Sequence, residues 1–86
     1  MNLIENLGYE QLKALKLLSE TPDIEGTALC SKADCSWDKM FSLTESRLID
    51  AGVGRIELQR MHPQLTKLGR EAVEQIAATG LFQAPD

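Results

Sequence analysis

The stretch SWDKMFSLTESRLIDAGVGRIELQRMHPQLTKLGR, residues 36–70, decides how this chain is read. Trp37, Met40, Thr44, Leu48 and Ala51 recur at helical spacing. Ser36 before them is a natural N-cap, and Gly52 supplies the left-handed position at which helices commonly stop. From Val53 to Arg60 the period changes. Ile56 and Leu58 fall to one side and Arg55, Glu57 and Gln59 to the other, as in a half-buried strand. Met61-His62-Pro63-Gln64 is short enough to be a hairpin tip, and Leu65-Thr66-Lys67-Leu68-Gly69-Arg70 then opens a second helix with Thr66 as its cap.

Outward from this stretch the chain is mostly helical. Towards the C-terminus, Leu65, Gly69, Ala72, Val73 and Ile76 form one buried line, Gly80 stops the helix, and Leu81-Phe82 folds back on the core. Towards the N-terminus, residues 2–20 read as a helix with Ile4, Leu7, Ala14, Leu15 and Leu18 in one stripe, and a break or bend is expected near Gly8. Leu3, Leu12 and Leu17 lie outside that stripe and need cover, from Leu81-Phe82 or from a second subunit. Thr21-Pro22-Asp23 ends the helix, Ile24 is expected as a single bridge of strand, and residues 25–33 form a short helix with Leu29 and Cys30 inward.

Composition bounds the classes. The 86 residues suit a single small core, and hydrophobic 43%, charged 26% and aromatic 5% is ordinary globular composition. No run of 18 apolar residues and no secretory leader pattern is present, so the expected compartment is the cytoplasm, with Cys30 and Cys35 as reduced thiols. The net charge of -4 is uneven. Residues 1–53 hold five basic and nine acidic groups, whereas residues 54–86 balance Arg55, Arg60, Lys67 and Arg70 against Glu57, Glu71, Glu74 and Asp86.

The segments RLIDAGVGRIEL and QLTKLGREA resemble the recognition helix, wing and following helix of bacterial winged helix-turn-helix proteins of the MarR and PadR type. The likeness spans about residues 24–78 and rests on an L-x-x-x-G-hydrophobic helix end and an L-T-x-x-G-R helix start. It implies a mainly α fold with a small β-hairpin wing: an N-terminal helix in residues 1–20, a helix-turn-helix over 25–52, a wing over 53–66, a C-terminal helix over 66–80 and a tail over 81–86, all in one domain. The function it implies is a small DNA-binding transcriptional regulator acting as a homodimer. The helix from Ser36 to Ala51 would enter the major groove, with Ser36, Lys39, Ser42 and Ser46 as polar contacts and Arg55, Arg60 and His62 on the wing.

The residues also support a different class. The exposed positions of the candidate recognition helix, Asp38, Lys39, Ser42, Glu45, Ser46, Ile49 and Asp50, make a poor surface for phosphate. An acidic protein-interaction module, whether adaptor, inhibitor or DNA mimic, would bind a protein instead of DNA through the acidic helix face with Asp38, Glu45 and Ile49, or through the apolar first helix with Leu3, Leu12 and Leu17. Trp37, Met40 and Phe41 read as core, and Arg47, at the edge of the inward face, must snorkel or find a carboxylate. No enzymatic, metal or cofactor site is expected. The Cys30–Cys35 spacing fits neither C-x-x-C redox chemistry nor a zinc knuckle, one histidine cannot complete a tetrahedral site, and Gly52-x-Gly54 lacks the third glycine of a phosphate loop.

Overall fold

The computed structural model describes residues 2–50 and 63–82. Within them the fold is mainly α. Helices α1 (Tyr9–Glu20), α2 (Gly26–Ala33) and α3 (Trp37–Glu45) precede strands β1 (Ile49–Asp50) and β2 (Gln64–Leu65), and α4 (Lys67–Thr79) follows. The two strands pair antiparallel, Ile49 opposite Leu65 and Asp50 opposite Gln64. The alternating segment from Val53 to Arg60, and Gly52 before it, lie outside the described residues.

The first correction concerns α1, which begins at Tyr9 and not at Asn2. Gly8 is a full stop here, not a bend. Its carbonyl accepts from the Gln11 and Leu12 amides, both at 3.0 Å, and its own amide donates to Gln11 Oε1 at 2.9 Å. That is the returning half of a capping box. The preceding segment is held by one backbone turn and by side chains, not by a helical ladder: the Leu7 amide donates to the Ile4 carbonyl at 3.2 Å, Asn2 Oδ1 accepts from the Ile4 amide, and Gln75 Oε1 on α4 accepts from the Leu3 amide at 2.7 Å. Ile24, expected as a single bridge of strand, is buried but joins no strand pair among the described residues.

Helices α2 and α3 end in the same way. Among the described residues, Asp34 after α2 and Arg47 after α3 are the two non-glycine residues with positive φ, at 53° and 63°. Around Asp34 the Cys35 amide donates back to the Cys30 carbonyl (3.1 Å) and the Asp34 amide to Ser31 (3.3 Å). Around Arg47 the Leu48 amide reaches Leu43 and the Arg47 amide reaches Thr44, both at 3.0 Å. These paired bonds are Schellman motifs, in which the residues six positions apart, counted inclusively, are the pair whose side chains commonly meet. The pairs are Cys30 with Cys35 and Leu43 with Leu48, all buried.

The second correction follows. The predicted helix to Ala51 stops at Glu45, and Arg47 takes the left-handed position assigned to Gly52. Leu48 is still core because the Schellman turn delivers it to Leu43. Ile49, expected on an exposed helix face, is a strand residue turned inward at 3% exposure.

Helix α4 matches the expected limits, with Thr66 capping at 2.9 Å to the Gly69 amide and Gly80 at φ 72° closing it. Thr66 also ties α4 to the end of α3. Its hydroxyl donates to the Arg47 carbonyl at 2.6 Å, and its amide donates to the Leu48 carbonyl at 3.2 Å. Gly69 is required at this crossing, since a Cβ there would sit 1.9 Å from the Leu48 carbonyl oxygen. The core between these elements is Leu15 and Leu18 of α1, Leu29 of α2, Met40 and Leu43 of α3, Leu48, Ile49, and Ala72 and Ile76 of α4.

Candidate nucleic-acid interface

Two elements position the exposed side of α3. Its start is fixed by the turn from Asp34 through Ser36, and its angle to α1 is set by Gln11, which is buried at 7% exposure and donates from Nε2 to the Lys39 carbonyl at 3.0 Å. Gln11 therefore bonds to Gly8 with its oxygen and to α3 with its nitrogen, satisfying both ends of one amide across a helix contact.

Next to that contact Lys39 Nζ pairs with Glu10 Oε1 of α1. The hydrogen bond from Lys39 holds the Glu10 carboxyl below its ordinary value, and the same bond holds the Lys39 ammonium above its own. Lys39 is exposed and Glu10 half-buried, and water still reaches both charges, so the pair orients Lys39 more than it stabilises the fold.

The other expected contact residues are spread along this side. The Ser36 hydroxyl is occupied as the N-cap, accepting from the Lys39 amide at 3.3 Å. Ser42 is half-buried and Ser46, the C-cap of α3, is exposed. Asp38 and Glu45 are exposed on the same helix. Arg47, expected to snorkel at an inward edge, is exposed at the left-handed turn. Arg55, Arg60 and His62 lie outside the described residues.

The apolar candidates fare differently. Leu3, Leu12 and Leu17 are partly buried against the core, so the stripe they form is largely covered within the chain, and Phe82 packs against the core as expected while Leu81 is exposed. Ile49 is withdrawn from any interaction surface by its burial.

Sequence reasoning missed a second group. Thr66 brings the start of α4, which carries Lys67 and Arg70, to the turn that carries Arg47, and all three cations are exposed. Only the Schellman geometry at Arg47, which no glycine announces, puts that arginine beside α4. Between α1, the Pro22 turn and α4 there is also an open groove of about 510 Å³, lined by Leu18, Pro22, Leu65 and Val73 with Asp23 and Arg70. Among the described residues no three of His, Cys, Asp or Glu gather into a metal site. No helix among the described residues is long and apolar enough to cross a membrane. The chain matches no family model, no curated protein and no solved structure.

Proposed function

We propose that this chain is a small winged-helix protein that binds double-stranded DNA and acts as a transcriptional regulator. The observation that carries the reading is the succession of α2, a tight turn, α3 and then an antiparallel strand pair whose return strand leads directly into α4. This is the order in which such domains place a recognition helix, a wing and a supporting helix. Ser42 and Ser46 would meet base edges from α3. Arg47, Lys67 and the wing residues Arg55 and Arg60 would supply phosphate contacts, with two copies on a two-fold site.

A specific observation favours a second reading. The only cation within α3, Lys39, is engaged by Glu10, while Asp38 and Glu45 stay exposed and the whole chain carries a charge of -4. A face of that sign suits a basic protein partner.

Titration of random duplex DNA at about 50 mM salt separates the two, because electrostatic attraction is strongest there. The DNA reading expects binding that weakens with salt, and a slope reduced by about 1 for each phosphate contact removed by Arg47→Ala or Arg55→Ala. Ser46→Ala should change sequence preference more than affinity. Undetectable binding at that salt would pass the case to the acidic interaction module.

A further inference from the structure

Cys30 and Cys35 are left unused by the reading above. They are free thiols, buried at 8% and 5% exposure, on either side of the turn that joins α2 to α3. Their positions are those of the side-chain pair of a Schellman motif, equivalent to Leu43 and Leu48 at the end of the next helix. There the pair is two leucines, and here it is two thiols.

The backbone bond between them bounds their separation. A carbonyl oxygen lies ~2.4 Å from its own Cα and an amide nitrogen ~1.5 Å from its own, by covalent geometry. The 3.1 Å bond from the Cys35 amide to the Cys30 carbonyl therefore keeps the two Cα atoms within about 7 Å even if every link were collinear, and any bend shortens this. Disulfides span Cα separations of roughly 4.4–6.8 Å. Each thiol is pushed up to about 11, in both cases chiefly by burial. For Cys30 the next cause is the neighbouring Cys35, so the two groups sense each other.

We propose that Cys30 and Cys35 form an intramolecular disulfide when the chain meets a low-molecular-weight disulfide of the glutathione type. The reaction is thiol–disulfide exchange. The thiolate of one cysteine attacks the small disulfide, forming a mixed disulfide and releasing one small thiolate. The second cysteine, held across the same turn, attacks the protein sulfur of that mixed disulfide and displaces the other small thiolate. The protein loses two protons and two electrons to become the cyclic disulfide, and the small disulfide takes up both pairs and is reduced to two thiols. Burial makes the first attack slow, because the thiolate is scarce near neutral pH, whereas the second is intramolecular and fast. Mixed disulfide on the native pair should therefore not accumulate. The bridge closes a very short loop across the α2–α3 turn, the turn that fixes where α3 begins, so the site couples redox state to the rigidity of the helix pair.

The test uses the full chain incubated with oxidised glutathione and followed by intact mass and tryptic mapping. Lys32 lies between the two cysteines, so the bridge joins the tryptic peptide ending at Lys32 to the one beginning at Ala33. The expected product has lost two hydrogens, contains that linked pair and melts roughly 5–10 °C higher than the reduced chain. The single variant C35S, with its partner removed, is expected to accumulate the glutathione adduct on Cys30. A stable adduct on the unaltered chain, disulfide-linked dimers as the main product, or no change under conditions that fully oxidise dithiothreitol would each overturn the proposal.

Discussion

Gly69 shows how a single atom can decide a packing arrangement. The first turn of α4 runs so close to the carbonyl of Leu48 that a methyl group would meet the oxygen at 1.9 Å, and that oxygen is backbone already engaged by the Thr66 amide. It cannot move without releasing the cap. Gly69→Ala is therefore expected to destabilise the chain by about 3 kcal/mol, even though alanine is the better helix former, as read by urea denaturation. A loss under about 1 kcal/mol would mean that α4 and Leu48 are further apart than the structure places them. At Lys39 the residue-scale consequence is electrostatic. Glu10 titrates below its ordinary value because of Lys39, so its small contribution is present above the unfolded pKa and is lost as pH falls through the folded one. In Lys39→Ala the Glu10 titration followed by NMR should move up toward the ordinary carboxylate value, part of the lowering being left by the backbone hydrogen bond at Glu10, and an unmoved titration curve would show that the ion pair does not persist in solution.

At the scale of elements, the informative boundary is the end of α3. Ser36, Thr66 and Gly80 were readable because each carries its cap in its own side chain or in its lack of one, and the structure uses all three as expected. The end of α3 was not readable, since a left-handed arginine leaves no mark in the sequence. The helical period also continued to fit across the turn. A Schellman motif sets Leu48 against Leu43, whereas a further helical turn would have set it over Thr44; Leu48 is buried by the first route, so the core position was right while the backbone assigned to it was wrong. The same slip turned Ile49 outward on paper, because a residue counted on a helix face was in fact on a strand. Of the candidate interface, the sequence revealed the polar side of α3 but not the approach of Arg47 to the start of α4, which depends on the Thr66 hydroxyl reaching the Arg47 carbonyl. Arg47→Gly separates stability from binding at this element. Relieving the left-handed strain should stabilise the chain by up to about 1 kcal/mol in thermal or denaturant unfolding. If Arg47 contacts phosphate, the same change should also weaken DNA binding and flatten its salt dependence. Destabilisation would show that the arginine side chain contributes packing of its own.

For the whole molecule, the question is what covers the apolar surface of so small a chain. A domain of 86 residues buries only a modest share of its surface, and an uncovered leucine stripe on the first helix would call for a second subunit. The structure answers part of this within the chain. Leu3, Leu12 and Leu17 pack partly against the core, the Leu3 amide is anchored to Gln75 of α4, and the N-terminal segment closes over that end of the fold. The large hydrophobic residues left exposed among those described are Tyr9 and Leu81 at 57% and 49%, and the Tyr9 ring lies 5.4 Å from that of Phe82. Two such residues at the rim are normal for a monomer. The free chain is therefore expected to be monomeric by light scattering at micromolar concentration, with two-fold pairing, if it occurs, supplied by a two-fold DNA site. A version ending at Gly80 removes Phe82 from Tyr9 and from the core, so it should melt several degrees lower and begin to self-associate. A dimer from the intact chain that survives dilution would show that the partly buried leucines are an interface after all. Unchanged melting in the shortened version would show that Phe82 covers nothing that matters.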